Sequence, residues 1–437
     1  MVSRRRFLYG LAAGAAVGAT AKSYARIMGS NERLNFAVVG TNSRGTAHLS
    51  GLKANATAGR ISHICDVDAR NLRKYAGRAE SVLGYTPASE ADFRRVLESK
   101  DVDVVTIATP DHWHAPMAIL ALQAGKHVYV EKPSSHNPRE GELLILAQKK
   151  YGKLVQVGNQ HRSCAHEMEM VHKIHDGLIG RTYFGKAWYA NTRGSMGVGK
   201  VVPVPAELNW DLWQGPAPRS AYKDNIHPYN WHWLRRYGTG EALNNGTHEV
   251  DVCRWALGVD WPEHVVAQGG RYHFKDDWEF YDTLVATFTY PGKTIAWEGK
   301  SCQGMKYNGR DRGALIQGTE GSVVLALDGY EVYDLQGKLK DDFKLASKPR
   351  ASSDLIGQDE MTNAHFANLI GAIKTGEPLH SPIADINISI TSLQLANISW
   401  TVNREVLLES RDGHIKNDPD AMKLWARSYE HGWEVKV

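Results

Sequence analysis

The sequence predicts an α/β chain: a doubly wound parallel sheet first, then a second domain built on an antiparallel sheet. Three observations carry this. Short apolar strands alternate with helical stretches from about residue 34 to 158. A glycine turn joins the first strand to the first helix. From Gly180 onward the texture changes to alternating strands separated by tight glycine turns.

With 437 residues the chain is long enough for two domains. Its 52 basic and 48 acidic residues are mixed along the body, with no basic run, so nothing points to nucleic acid. Residues 1–30 stand apart from the fold. Arg4-Arg5-Arg6-Phe7-Leu8 precedes an Ala- and Gly-rich apolar stretch, Tyr9 to Ala21, too short and weak to span a membrane stably. This resembles a twin-arginine export signal, with the export machinery as partner and a periplasmic location for the folded chain. Cleavage near Ala21 and cleavage near Ala25 are both compatible with the small-residue rule. Cys65, Cys164, Cys253 and Cys302 are widely spaced and form no metal-ligand pattern; Cys65 and Cys253 read as core.

The first strand, Asn35 to Gly40, runs into Gly40-Thr41-Asn42-Ser43-Arg44-Gly45 and then a helix. A glycine turn at a helix N-terminus offers free N–H groups and a favourable dipole to a phosphate. Asn42 replaces the usual second glycine, and Asn tolerates a left-handed backbone. The second strand, Arg60 to Cys65, ends at Asp66, where a ribose hydroxyl partner belongs. Asp66 repels a 2′-phosphate and so favours NAD over NADP; Arg70 softens that preference without removing NADP. Phe93 to Leu97 reads as helix and Val102 to Ala108 as strand. Thr109-Pro110-Asp111-His112-Trp113-His114 then forms a loop that faces the cofactor, with His112 and His114 on the nicotinamide side. No acid or cysteine completes a ligand set around these histidines, so no metal is expected.

A helix from Ala115 to Ala124, capped by Gly125, leads to Val128-Tyr129-Val130-Glu131-Lys132-Pro133. Pro133 stops the strand and leaves Lys132 at its carboxyl end, where ligands bind in such sheets. Glu131 and Lys132 should both border the dinucleotide. A further strand, Leu154 to Gly158, brings Asn159, Gln160, His161 and Arg162 to the same face.

GTNSRG, ICDVD, ATPDHWHAP, EKP and VQVGNQHR, in this order, resemble the Gfo/Idh/MocA family. That resemblance implies an NAD(P)-dependent oxidoreductase acting on sugars or cyclitols. It also implies a Rossmann domain followed by an α/β domain with an open, mostly antiparallel sheet used for substrate and for subunit packing. Lys132, in the EKP motif, takes the catalytic lysine's place. The family's second motif has an Asp four residues before a His and a further acid three residues on. Here Asn244 stands in the first position, while His248 and Asp251 match, so His248 becomes the better general base with Asp251 beside it.

In the second half (residues 159–437), Tyr183 to Ala190 alternates as a half-buried strand. Thr192 to Tyr237 is irregular and rich in aromatics, with Trp210, Trp213, Tyr222, Tyr229, Trp231, His232 and Trp233. Aromatic faces beside polar side chains suit a pyranose, and at least one or two of these aromatics should face the ligand while the others pack the loop against the domain or another subunit. Together with the residues that the resemblance implies, the expected substrate contacts are His161, Arg162, Tyr229, Trp231, Asn244, Lys132 and His248. His248 starts a helix, which lowers its pKa toward a neutral base. Strands follow at 264–268, 283–290, 293–299, 314–318 and 322–327; Ser347 to Asp354 reads as a surface loop, and 365–375 and 386–404 as closing helices. The open sheet face invites a homo-oligomer.

Little free NAD is present outside the cytoplasm, so an exported enzyme should retain its cofactor and restore its redox state within each cycle. Oxidation of one sugar and reduction of a second carbonyl compound, in ping-pong order, satisfies this. So does transient oxidation of a glycoside with loss of its aglycone. A non-catalytic sugar sensor is the rival of another class, although it would need neither Lys132 nor His248.

Overall fold

The computed structural model describes residues 33–346 and 359–437. The segment read as an export signal and the stretch Ser347–Asp354 lie outside the described residues. Six strands form the first sheet: β1 (Leu34–Val39), β2 (Gly59–Cys65), β3 (Ala88–Glu90), β4 (Val104–Ile107), β5 (His127–Val130) and β6 (Val155–Val157). Their order is β3-β2-β1-β4-β5-β6, and every pairing is parallel. This is the doubly wound order whose direction reverses at β1/β4, which opens a crevice beyond the carboxyl ends of those strands. The strands are apolar on both faces because helices cover both; Phe36, Val38, Val104 and Val128 are fully buried.

Local signals set the helix limits. Helix Pro138–Tyr151 starts where Asn137 Oδ1 accepts from the Glu140 amide and ends at left-handed Gly152. Helix Asp111–Gln123 begins earlier than its sequence suggests: Pro110 occupies its N-cap, so His112 and His114 stand in a first helical turn rather than in a loop.

The second sheet comprises β7 (Thr182–Thr192), β8 (His264–Gly270), β9 (Thr283–Tyr290), β10 (Lys293–Lys300), β11 (Cys302–Gln303), β12 (Arg312–Gly318), β13 (Gly321–Ala326), β14 (Gly329–Asp334), β15 (Leu339–Lys344) and β16 (Val406–Leu407). The order is β15-β14-β13-β12-β7-β10-β9-β8-β16, with β11 also paired to β7. Only β7 and β10 pair in parallel; the rest are antiparallel. Helices Gly246–Leu257 and Ile383–Val402 cover one face. On the other, Val285 is exposed and Lys186 pairs with Glu298.

Helix Glu360–Thr375 returns to the first domain, where Phe366, Leu369 and Ile370 complete a core with Phe36, Val38, Leu49, Leu52 and Tyr129. Phe366 stacks on Tyr129 with centroids 4.5 Å apart. Burying each such side chain contributes about 1.5–3 kcal/mol, and Phe366→Ala should cost about 3–5 kcal/mol. The aromatic stretch 192–237 is ordered. Leu208, Trp210, Trp213, Tyr222, Ile226, Trp231 and Tyr237 form a small core of their own, which leans on Val67 beside β2.

Candidate functional site

A cleft of about 1180 Å³ opens beyond the carboxyl ends of β1, β2, β4 and β5 and runs under the aromatic insertion. Its phosphate end is the turn after β1. Gly40 has φ +85°, and a Cβ there would lie 2.5 Å from the Ala108 carbonyl oxygen. A Cβ on Gly45 would lie 2.1 Å from the Gly40 carbonyl oxygen. Only glycine therefore lets the turn close and the helix Ser43–Ala54 start against it. Asn42 is extended (φ −83°, ψ −178°), so its place requires no left-handed backbone. Gly40, Asn42, Ser43 and Arg44 line the cleft. Gly45 does not line it; its role is the close packing just described.

Asp66 also lines the cleft, locked by the Thr41 amide (2.9 Å) and hydroxyl (2.7 Å) on one oxygen and the Asp68 amide (2.9 Å) on the other. Burial raises its pKa against those hydrogen bonds. Arg70 is not free to receive a 2′-phosphate: Asp68 holds its Nε and Nη2 at 2.9 and 2.7 Å. Glycine turn, free helix terminus and fixed carboxylate thus fit a dinucleotide without a 2′-phosphate.

Glu131 lies at the floor. Arg44 Nε (2.8 Å), His48 Nε2 (2.9 Å) and Gln160 Nε2 (3.2 Å) surround its carboxylate. Burial opposes ionisation, but the Arg44 and His48 contacts prevail and hold the pKa far below the usual carboxylate range. Arg44 continues to Thr362 (3.0 Å), fastening the turn to helix Glu360–Thr375.

Lys132 reaches from the end of β5 to the Asn244 backbone carbonyl, with Asn244 Oδ1 at 3.4 Å. Burial lowers its pKa, while Asp111 and Glu131 resist. His248, in the first turn of Gly246–Leu257, has a buried Nδ1 with no hydrogen-bond partner among the described residues. Burial chiefly, then the neighbouring charges of His161 and Lys132, pushes its pKa well below 6.5. The helix terminus anticipated from sequence is thus not the main cause. His161 stacks on His248 (5.1 Å, 28°) and pairs with Glu167 at 2.9 Å. Burial opposes protonation of His161, but Glu167 overrides it and raises the pKa. Two imidazoles whose pKa values are pushed in opposite directions are thereby set face to face.

Lys132, Asn244, His248, His161, Thr109, Pro110, His114, Tyr229 and Trp231 share this cleft. Besides Gly45, four expected site residues do not line it. His112 is fully buried, with Nε2 on the Trp213 carbonyl (3.0 Å), so it anchors the insertion instead of facing a cofactor. Asn159 is likewise fully buried behind the cleft wall. Arg162 forms a two-point pair with Asp251 (2.7 and 2.9 Å). Asp251, at 0% exposure, also accepts from Ser389 (2.6 Å). Arg162 and Asp251 are thus engaged with each other away from the cleft, and the pair joins the 3-10 turn Gln160–Ser163 to helix Gly246–Leu257.

The structure adds residues that the sequence reading passed over. Arg193 lines the cleft, held by Glu241 (3.0 Å), with its guanidinium 5.9 Å from the Tyr229 ring. Arg312 lines it too, held by Glu249 (2.6 Å). An arginine opening the largely apolar strand β12 was the available signal for the latter. His114 places both ring nitrogens on backbone carbonyls, Pro133 (2.6 Å) and Thr109 (2.7 Å), tying the two strand ends together.

Comparison with known proteins agrees with this architecture. Residues 34–159 match the oxidoreductase family with NAD-binding Rossmann fold, GFO_IDH_MocA, and residues 168–324 match the GFO/IDH/MocA C-terminal domain. The chain belongs to the Gfo/Idh/MocA family. A glycosyl hydrolase family 109 protein of Saccharopolyspora erythraea is 32% identical over 209 residues, 44% of this chain and 45% of that protein. Inositol 2-dehydrogenase of Salmonella paratyphi B is 29% identical, over 46% of this chain and 54% of its own length. The matched part thus spans about half of these relatives. The structure of an aldose-aldose oxidoreductase from Caulobacter crescentus, complexed with glycerol, superposes with a TM-score of 0.65 at 19% identity, covering 86% of this chain and all of that one; this likeness concerns the fold.

Proposed function

We propose that the protein is an NAD-dependent oxidoreductase acting on a hydroxyl of a sugar or cyclitol. The observation that carries this is the meeting, in one cleft with the phosphate turn and Asp66, of Lys132 and a His248 whose Nδ1 has no partner among the described residues. Gly40, Asn42, Ser43, Arg44 and Asp66 hold the dinucleotide, which supplies a hydride acceptor when bound. Lys132 binds and polarises the substrate oxygen. Neutral His248 takes the hydroxyl proton, a contribution of ~10²–10⁴-fold. Tyr229, Trp231 and Arg193 offer apolar faces and a polar edge to a ring. Asn244 keeps Lys132 in place without adding a carboxylate.

The relatives named as an inositol dehydrogenase and an aldose-aldose oxidoreductase support net redox chemistry. The family 109 relative supports the second reading, transient oxidation with loss of an aglycone, because both use the same base and cation. The arginine-rich N-terminus supports export, and with it a cofactor kept through turnover. The open sheet face supports a homo-oligomer, to be checked by light scattering. An absorbance scan of the reduced-nicotinamide band before and after a panel of sugars and glycosides tests the main reading. A bound dinucleotide that never changes redox state would instead support a sensor.

A further inference from the structure

The segment following helix Pro419–Met422 brings Trp433 into the wall of the cleft. It is fastened along its length to the first domain. Arg427 donates to Glu140 (2.8 Å) and to the His112 carbonyl (2.6 Å), Tyr429 donates to Glu140 (2.8 Å), and Gln123 donates to the Lys436 carbonyl (2.7 Å). Glu430 fastens the same segment to the aromatic insertion, its amide donating to the Pro216 carbonyl (3.0 Å) and its carboxylate accepting from the Arg219 amide (3.0 Å). Trp433 is thereby fixed edge-on to Trp113, with centroids 5.1 Å apart at 89°. The Arg94 guanidinium lies 5.7 Å from the Trp433 ring and is held in turn by Asp92. Trp433, Trp113, Arg94 and Leu212 all line the cleft, and the proposed chemistry uses none of them.

Their place in the sheet says what they face. The phosphate turn follows β1, Asp66 ends β2, and Asp92 and Arg94 follow β3, the next strand outward. A ribose on Asp66 has its phosphates on the β1 side, so its base points outward, toward Arg94 and the two tryptophans. An adenine has an apolar π face that suits indole rings and Leu212. We propose that Trp433 and Trp113 wall the adenine subsite, and that segment 423–437 is a clasp that must be displaced before the cofactor can leave. This rests on the dinucleotide reading above, and it supplies the physical means of cofactor retention.

The test uses the full chain with Trp433→Ala and Trp433→Phe. Bound NAD is quantified after repeated desalting, and affinities for ADP-ribose and for nicotinamide mononucleotide are measured by calorimetry on cofactor-depleted protein. Trp433→Ala should lose NAD on desalting and bind ADP-ribose roughly 5- to 150-fold more weakly, the span of one base–aromatic stack. Nicotinamide mononucleotide should bind as before, and Trp433→Phe should retain most of the affinity. Unchanged ADP-ribose binding by Trp433→Ala, or equal losses for both fragments, would overturn the clasp while leaving the dinucleotide reading intact. A parent protein that binds neither fragment would overturn both.

Discussion

Lys132 and His248 reach the cleft from different domains, one at a strand end and the other on the first turn of a helix. Each is tuned by burial, which makes the lysine easier to deprotonate and the histidine neutral near pH 7. Lys132→Ala and His248→Ala should each lower cofactor reduction by at least ~10²-fold and leave the dinucleotide bound, as judged by stopped-flow absorbance and by NAD content. Because His248 titrates well below 6.5, the base-dependent limb of the pH–rate profile should fall below that of an ordinary histidine; a limb at 6.5 would remove His248 from the role. Cofactor choice should also turn on single residues. Asp66→Ala should weaken NAD binding and relax discrimination against NADP. Asp68→Ala should go further by freeing Arg70 from its two-point hold. Titrations with both cofactors check this, and unchanged preference in both variants would refute it.

Elements are held in register by buried pairs that lie outside the cleft. Arg162→Ala would strand Asp251 in the interior and should cost about 3–5 kcal/mol in urea unfolding. The pH dependence has a definite sign. Burial opposes ionisation of Asp251, but Arg162 outweighs it and brings the folded pKa from 3.8 to about 2. The pair's contribution, roughly 2 kcal/mol, is therefore full above about pH 4 and is lost as pH falls through about 2. The Arg162→Ala variant should show a flatter stability profile across that window. This pair also shows what sequence could and could not reveal. Strand ends, the glycine turn, Asp66 and Lys132 were legible because their signals are local: period, turn chemistry and short spacings. Asp251 and Arg162 read as active because polar residues near a motif look alike until a partner 89 residues away neutralises them. The burial of His112 was hidden for the same reason, since the Trp213 carbonyl that its ring meets lies 101 residues on. Trp433 carried no signal, being one more aromatic until the fold brought it to Trp113.

At the scale of the whole molecule, the two domains do not simply flank the cleft. The insertion leans on β2 through Val67, and His112 and Trp113 hold the Trp213 carbonyl from below. Segment 423–437 then crosses both. In the proposed arrangement a cofactor would lie between the insertion and Trp433 of this segment, so its exchange should require the two to separate. Exposed to one sugar, the purified protein should therefore reduce no more than about one nicotinamide per chain and then stop, even with free NAD in the buffer. Addition of a second sugar or keto compound should return the absorbance to its starting value and allow repeated cycles. With a glycoside, the aglycone should appear without any lasting absorbance change if the elimination route operates. Steady accumulation of free NADH, in proportion to added NAD, would show that the insertion and the segment separate in every cycle and that the enzyme is an exchanging dehydrogenase.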